Sequence, residues 1–120
     1  MDCIFCVLKE QPHILDNEHF YVIADKSPVA KGHLLVISKR HIENFFELDD
    51  AEAVSLKNIT LLARDHLAQE LAPDGYNLGM NCGRHAGQSV FHFHLHIIPR
   101  YGGDRKDRVK GLREFVRNII

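Results

Sequence analysis

Short apolar runs alternate along the chain with one long segment of helical period. Phe20-Tyr21-Val22-Ile23, within His19 to Asp25, is β-branched and aromatic and predicts a strand. His33-Leu34-Leu35-Val36-Ile37 predicts a second, largely buried strand, with Ser27-Pro28 and Lys31-Gly32 punctuating the loop between. Ahead of both, Cys3 to Leu8 is a compact apolar turn that begins as a short helix and closes at Pro12. Asp49, followed three residues later by Glu52, has the form of a capping box and opens a helix that Pro73 must end. Within it Leu56, Ile59, Ala63, Leu67 and Leu71 recur at spacings of three and four and share one face. Val54, Leu61 and Ala68 form a second stripe at spacing seven. Two readings stand for that stripe: a helix covered on both sides, by its own sheet and by a partner chain, or one wide core face.

Asp74-Gly75 is a turn, after which Tyr76, Leu78, Met80 and Cys82 alternate with Asn77, Gly79 and Asn81 as a half-buried strand, with Cys82 on its core side. The loop Gly83-Arg84-His85-Ala86-Gly87 leads to a strand from Val90 to Ile98, stopped by Pro99. Gly102-Gly103 breaks the chain, and Leu112, Phe115, Val116 and Ile119 mark a final amphipathic helix. Mixed elements with short links predict a single α+β domain over 1–120. It holds a mainly antiparallel sheet of about five strands, one long central helix and a C-terminal helix.

At 120 residues and 45% hydrophobic content the chain is one globular domain, small enough for dimerisation to add useful buried surface. Fifteen Lys and Arg against 16 Asp and Glu give a net charge of −1. That balance excludes a strongly basic domain gripping duplex phosphates, so nucleic acid is not the expected partner. No apolar stretch approaches the ~20 residues that cross a bilayer, and the N-terminus lacks the pattern of a secretory signal. Three cysteines, an odd and sparse set, fit a reduced cytoplasmic compartment. The unusual number is histidine, nine in all.

Three of the nine stand in His92-Phe93-His94-Leu95-His96. On a strand the imidazoles line one face, while Phe91, Phe93, Leu95 and Ile97 fill the other. Neighbouring imidazoles would then lie ~6.6 Å apart, and the outer pair ~13 Å apart. A metal could take an adjacent pair but would have to bend the strand to take all three. Nucleophilic catalysis suits the spacing better, with one imidazole attacking and its neighbours flanking a phosphate. Asn81, Gly87, Gln88 and Ser89 supply amides, a hydroxyl and backbone donors suited to phosphate. Neither a P-loop nor a G-x-G-x-x-G turn is present.

His92-Phe93-His94-Leu95-His96-Ile97-Ile98 resembles the signature of the histidine triad family, H-φ-H-φ-H-φ-φ with φ apolar. The resemblance runs from Cys3-Ile4-Phe5-Cys6 through Asp25, Lys31-Gly32-His33 and Ala86-Gly87-Gln88-Ser89 to Pro99-Arg100, and is nearest to bacterial members of the Hint branch. It implies a hydrolase acting at the α-phosphate of purine nucleotide conjugates, phosphoramidase-like, through a covalent nucleotidyl-histidine, releasing AMP or GMP. His94 would be the nucleophile, with His96 and His33 on the phosphate and Ser89 on the phosphate or leaving group. Asn81 and Gln88 would lie at the ribose-phosphate, Asp25 would bind the ribose hydroxyls, and Phe20 and Ile23 would lie near the base. The transferase branch carries Gln at the third histidine, so His96 favours hydrolysis. Longer members add a C-terminal tail that shapes the leaving-group side, and this chain has no Trp. The resemblance also implies a homodimer, in which the long helix and an edge strand pair across a two-fold axis.

Cys3 and Cys6 form a C-x-x-C without the βαβ context of a redox motif; as half a zinc site the pair needs two more ligands. The resemblance supplies them as His41 and His92, giving a structural zinc with none required for the chemistry. His13, His19, His66 and His85 read as surface or capping residues. Arg100 to Arg117 carries seven basic and three acidic residues, a solvated helix face or a contact for a polyphosphate or an RNA end. Two other functions compete: cleavage of dinucleoside polyphosphates, toward which Pro99-Arg100 pulls, and a nucleotide-binding regulatory partner whose hydrolysis is vestigial.

Overall fold

The computed structural model describes residues 3–103, so the predicted C-terminal helix and most of the basic stretch lie outside the described residues. Helix α1 (Ile4–Leu8) precedes strands β1 (Leu15–Asp16), β2 (Phe20–Ala24) and β3 (Leu34–Ser38). The long helix α2 (Asp50–Leu71) follows, then β4 (Gly75–Gly79) and β5 (His94–Arg100). The strands form one five-stranded sheet in the order β1-β2-β3-β5-β4, with every pair antiparallel. This is the predicted α+β architecture. The two-residue β1 is the one strand that the apolar pattern misses, because so short a segment carries no period.

Alternation along the strands divides the protein into two apolar layers. Phe20 and Val22 of β2, Leu34 and Val36 of β3, and Leu95 and Ile97 of β5 face α2, where Leu56, Ile59, Ala63 and Leu67 complete the larger core. Tyr21, Leu35 and Ile37 face the other way and pack with Phe5 of α1, with Ile23, Leu8 and Val90 at the margin. The smaller layer carries the site.

The capping box is present: Asp49 accepts from the Glu52 backbone at 2.8 Å, and the Glu52 carboxylate accepts from the Asp49 backbone at 3.0 Å. Asp49→Ala should cost about 1 kcal/mol in a denaturant titration. Glu52 is itself buried and holds Arg40 through two hydrogen bonds of 2.9 and 2.7 Å. The Arg40 guanidinium keeps the Glu52 carboxyl below its ordinary value of 4.5. A depressed carboxyl contributes stability above its unfolded pKa and loses it as pH falls through the folded one. Stability should therefore fall below pH 4.5 more steeply in the wild type than in Glu52→Gln, as read by urea midpoints across that range.

Four sequence expectations are corrected. The last strand starts at His94, four residues later than expected, because the Phe93 amide donates at 2.7 Å to Ile42 in the loop beyond β3, although its carbonyl still accepts from Ser38 at 3.3 Å. It also runs through Pro99, which lies past Ile97, the last residue paired with β3, so no ladder bond is broken on that side. Strand β4 ends at Gly79, which leaves Cys82 half-buried beyond it rather than in the core. Phe91 is 41% exposed and does not join the core.

The two stripes of α2 separate cleanly. Val54 and Leu61 are exposed, as are Ala68 and the neighbouring Leu62, so the single wide core face is excluded. Gly32 lies under the end of the helix with φ +89°, and a Cβ there would stand 2.6 Å from the Leu71 side chain. Only glycine meets both demands at that turn into β3.

Candidate active site and metal centre

The signature histidines do not share one face. His94 and His96 lie on β5 with ring centroids 5.2 Å apart, whereas His92 precedes the strand and turns toward α1. The two positions give the rings different neighbours, and hydrogen bonds fix the tautomer of each ring.

His94 Nδ1 lies 2.8 Å from the backbone oxygen of His92. A carbonyl only accepts, so Nδ1 carries the proton and Nε2 keeps its lone pair. Burial lowers the pKa of His94 below the ordinary imidazole value, which holds the ring neutral at pH 7. A neutral imidazole with a committed Nδ1–H is a nucleophile at Nε2. Phe5 packs against it at 5.1 Å between centroids.

His33 lies behind this pair, with its side chain fully buried. Its Nδ1 accepts from the Val29 backbone at 3.1 Å, so its proton is on Nε2, 2.9 Å from His96 Nδ1 and 3.3 Å from the Asp25 carboxylate. His96 Nδ1 is then an acceptor, and His96 holds its own proton on Nε2. The relay of backbone to His33 to His96 leaves a donor on His96 beside a lone pair on His94. Asp25, His33 and His96 also cluster tightly enough for a metal, but a protonated His33 Nε2 cannot ligate one. The expected direct contact of His33 with phosphate is not supported, since it reaches the site only through His96.

A cleft of about 570 Å³ opens beside His94 and His96. Ile4, Phe5 and Leu8 of α1 form one wall, and Ile23, Leu35 and Val90 face them. Asp25, Lys26 and Ser27 form its polar end, where Asp25 accepts from the Ser27 backbone at 2.9 Å. Asp25 and Ile23 both stand at this cleft. Phe20 does not: it is fully buried on the α2 side of the sheet. The strand period itself carried that correction, because residues three apart on β2 point to opposite faces. The α1 wall was missed for want of any polar signal.

Asn81, Gln88 and Ser89 belong to the 80–90 segment and do not line this cleft. Gln88 is a correction in its own right. Its side-chain oxygen accepts from Gly83, and its amide donates to the carbonyls of Glu43 at 2.6 Å and Val90 at 3.1 Å. These bonds make it a clasp between loops rather than a ligand. His13 stacks on Tyr21 at 4.4 Å, and His85 is exposed, both away from the catalytic pair.

On the other side of α1, the candidate ligand atoms of Cys3, Cys6, His41 and His92 all lie within 4.8 Å of one another. His92 Nδ1 is 3.2 Å from Cys3 Sγ, 3.6 Å from Cys6 Sγ and 3.2 Å from His41 Nδ1, and Cys6 Sγ is 3.2 Å from His41 Nδ1. A tetrahedral zinc spaces its ligands roughly 3.3–3.8 Å apart, so the four residues fit it. His92 is also set up for it: Nε2 donates to the Ser38 carbonyl at 2.7 Å, which leaves Nδ1 to face the cluster.

Comparison with known proteins gives the family of the chain. Residues 9–103 match the HIT domain. "Protein hit" of Bacillus subtilis is 43% identical over 105 residues, covering 84% of this chain and 72% of that protein. Among solved structures, a hypothetical histidine triad nucleotide-binding protein from Sulfolobus tokodaii superposes with TM-score 0.78 at 33% identity, over 98% of this chain and 93% of that one. A HIT family hydrolase from Clostridium thermocellum gives TM-score 0.69 at 35% identity, over 88% and 96%. With the domain match spanning most of its length and its histidines set as described, this chain belongs to the HIT domain family.

Proposed function

We propose that the protein hydrolyses purine nucleotide conjugates at the α-phosphate, in the manner of the Hint branch, releasing AMP or GMP. One observation carries the reading: the Nδ1–H of His94 is committed to the His92 carbonyl, which leaves a neutral Nε2 nucleophile at the mouth of an apolar cleft. His94 Nε2 attacks the α-phosphorus, forming a P–N bond as the bond to the leaving group breaks. The leaving group departs with a proton drawn from solvent, and water then cleaves the P–N bond, giving its oxygen to phosphorus and a proton back to solvent, returning the Nε2 lone pair and releasing the nucleoside monophosphate. His96 Nε2–H stabilises charge on the phosphoryl oxygens, and His33 holds His96 in the required tautomer. Asp25 takes the ribose hydroxyls, the α1 wall and Ile23 hold the base, Asn81 serves the ribose-phosphate, and Ser89 serves the phosphate or leaving group.

Cleavage of dinucleoside polyphosphates is the weaker reading. Pro99 is buried within β5, and Arg100 donates from Nε to Asn77 at 2.8 Å, so neither acts as a separate polyphosphate contact. Parallel assays of an AMP-lysine phosphoramidate and diadenosine polyphosphate decide between them. A clear preference in kcat/KM for the phosphoramidate is expected, and the reverse preference would overturn the assignment.

The same proposal includes a structural zinc on Cys3, Cys6, His41 and His92, and a homodimer. Strand β4 is the sheet edge, as the dimer requires, and its Leu78 is 53% exposed. The uncovered stripe of Val54, Leu61, Leu62 and Ala68 lies on α2, the preceding element. An edge strand and an apolar helix face are the surfaces a two-fold mate covers. Sedimentation equilibrium at micromolar concentration should return about twice 13.8 kDa. A monomer would refute this part.

A further inference from the structure

We infer that Cys3 and Cys6 are positioning residues for the nucleotide cleft, so that metal in their cluster sets substrate affinity. This rests on the proposed function, because it takes the cleft to be the nucleotide site. Helix α1 is five residues long, far below the length at which a helix is stable alone. Its N-cap, Cys3, makes no side-chain capping bond. Two sets of residues share this one turn. Ile4, Phe5 and Leu8 line the cleft, while Cys3 and Cys6 join His41 and His92.

Other anchors reach α1 mainly at its C-terminal end, where the His13 ring lies 3.4 Å from the Leu8 carbonyl and the C-cap Lys9 side chain donates to Lys39 at 3.3 Å. The Tyr21 hydroxyl donates to the Phe5 carbonyl, Phe5 packs in the smaller layer, and the Ile4 and Val7 side chains are 44% and 53% exposed. The ring of Phe5 also touches both His92 and His94, at 5.8 and 5.1 Å between centroids. The cluster ties α1 to two distant points, His41 beyond β3 and His92 before β5. Clipping such long loops restricts the chain most. A metal there holds the wall at a fixed distance from Ile23 and Leu35; without it the wall must be ordered when the base enters, and that cost appears as weaker binding. By linkage, nucleotide must tighten the metal by the same factor that metal tightens nucleotide.

Calorimetry of AMP binding to the zinc-loaded and chelator-treated full chain tests this, with circular dichroism to check folding. Removal of zinc should weaken AMP binding between about five- and a hundredfold, and a chelator competition titration should show zinc bound tighter by the same factor when AMP is present. Hydrogen exchange at amides 4–8 should accelerate on zinc removal and slow on adding AMP. His41→Ala, which takes a ligand from outside α1, should reproduce the loss of AMP affinity. Equal AMP affinity with and without zinc overturns the inference and leaves the proposed function standing, whereas no zinc bound overturns both the inference and the proposed zinc and leaves the proposed hydrolysis standing. No AMP binding by either form defeats both. Unfolding of both the metal-free protein and His41→Ala makes the cluster a general staple and also overturns it.

Discussion

Replacing His94 by alanine abolishes turnover of an AMP phosphoramidate while AMP binding stays measurable. The loss should be on the order of 10⁴-fold or more in kcat, the scale seen when a nucleophile is removed from a catalytic group that acts as a unit. The reason lies in the proton count. Every nearby imidazole has a committed tautomer: His92 donates from Nε2 to Ser38, His33 accepts at Nδ1 from Val29, and His96 accepts at Nδ1 from His33. None of these offers a lone pair at the place of His94 Nε2. The cleft wall and Asp25 remain in the variant, so binding persists. A variant with near-normal kcat would sink the assignment, as would failure to trap a nucleotidyl adduct on His94 by rapid quench and mass spectrometry.

Protein purified without added metal is expected to carry one zinc per chain, and stripping it should lower stability by about 2.7 kcal/mol relative to protein with zinc at a hundredfold its Kd. Chemistry within the bound complex should change little. The carbonyl of His92 that orients His94 is held as well by the backbone bond of Phe93 to Ile42 and by the His92 ring's own bond to Ser38. Chelation should therefore act on melting temperature and KM, with kcat of the folded fraction preserved. Protein that purifies without metal and melts at the same temperature with or without added zinc would show that the four side chains hold none.

Much of this fold is written in periods that survive inspection by eye. The α2 stripe from Leu56 to Leu67 is the buried one, and the Asp49–Glu52 box caps it as its spacing implies. His94 and His96 are legible because two residues apart on a strand share a face. What was not legible depends on partners remote in sequence. His92 leaves the strand because Ile42 captures the next residue, and nothing local to residues 90–98 announces that. The tautomer of His33 is set by a backbone donor at Val29, invisible without the turn. Gln88 looked like a phosphate ligand because amides are; three carbonyl and amide partners in two loops claim it instead. The α1 wall shows the opposite problem, since Ile4, Phe5 and Leu8 look like ordinary core until the cleft beside them is seen.

The strand order has a consequence for how the chain reaches this state. β2 and β3 are joined by a short loop and can pair as soon as both exist, but among the described residues β4 has no neighbour other than β5, and β5 fills the place between β4 and β3. During synthesis from the N-terminus, the exposed edge of β3 must therefore wait until residues 94–100 emerge, with α2 already made and its apolar faces in water. Such long-range closure slows folding and leaves a sticky edge in the interim. The segment that closes the sheet is also the one bearing His94 and His96, so a nascent chain acquires the proposed nucleophile and β5 in the same step.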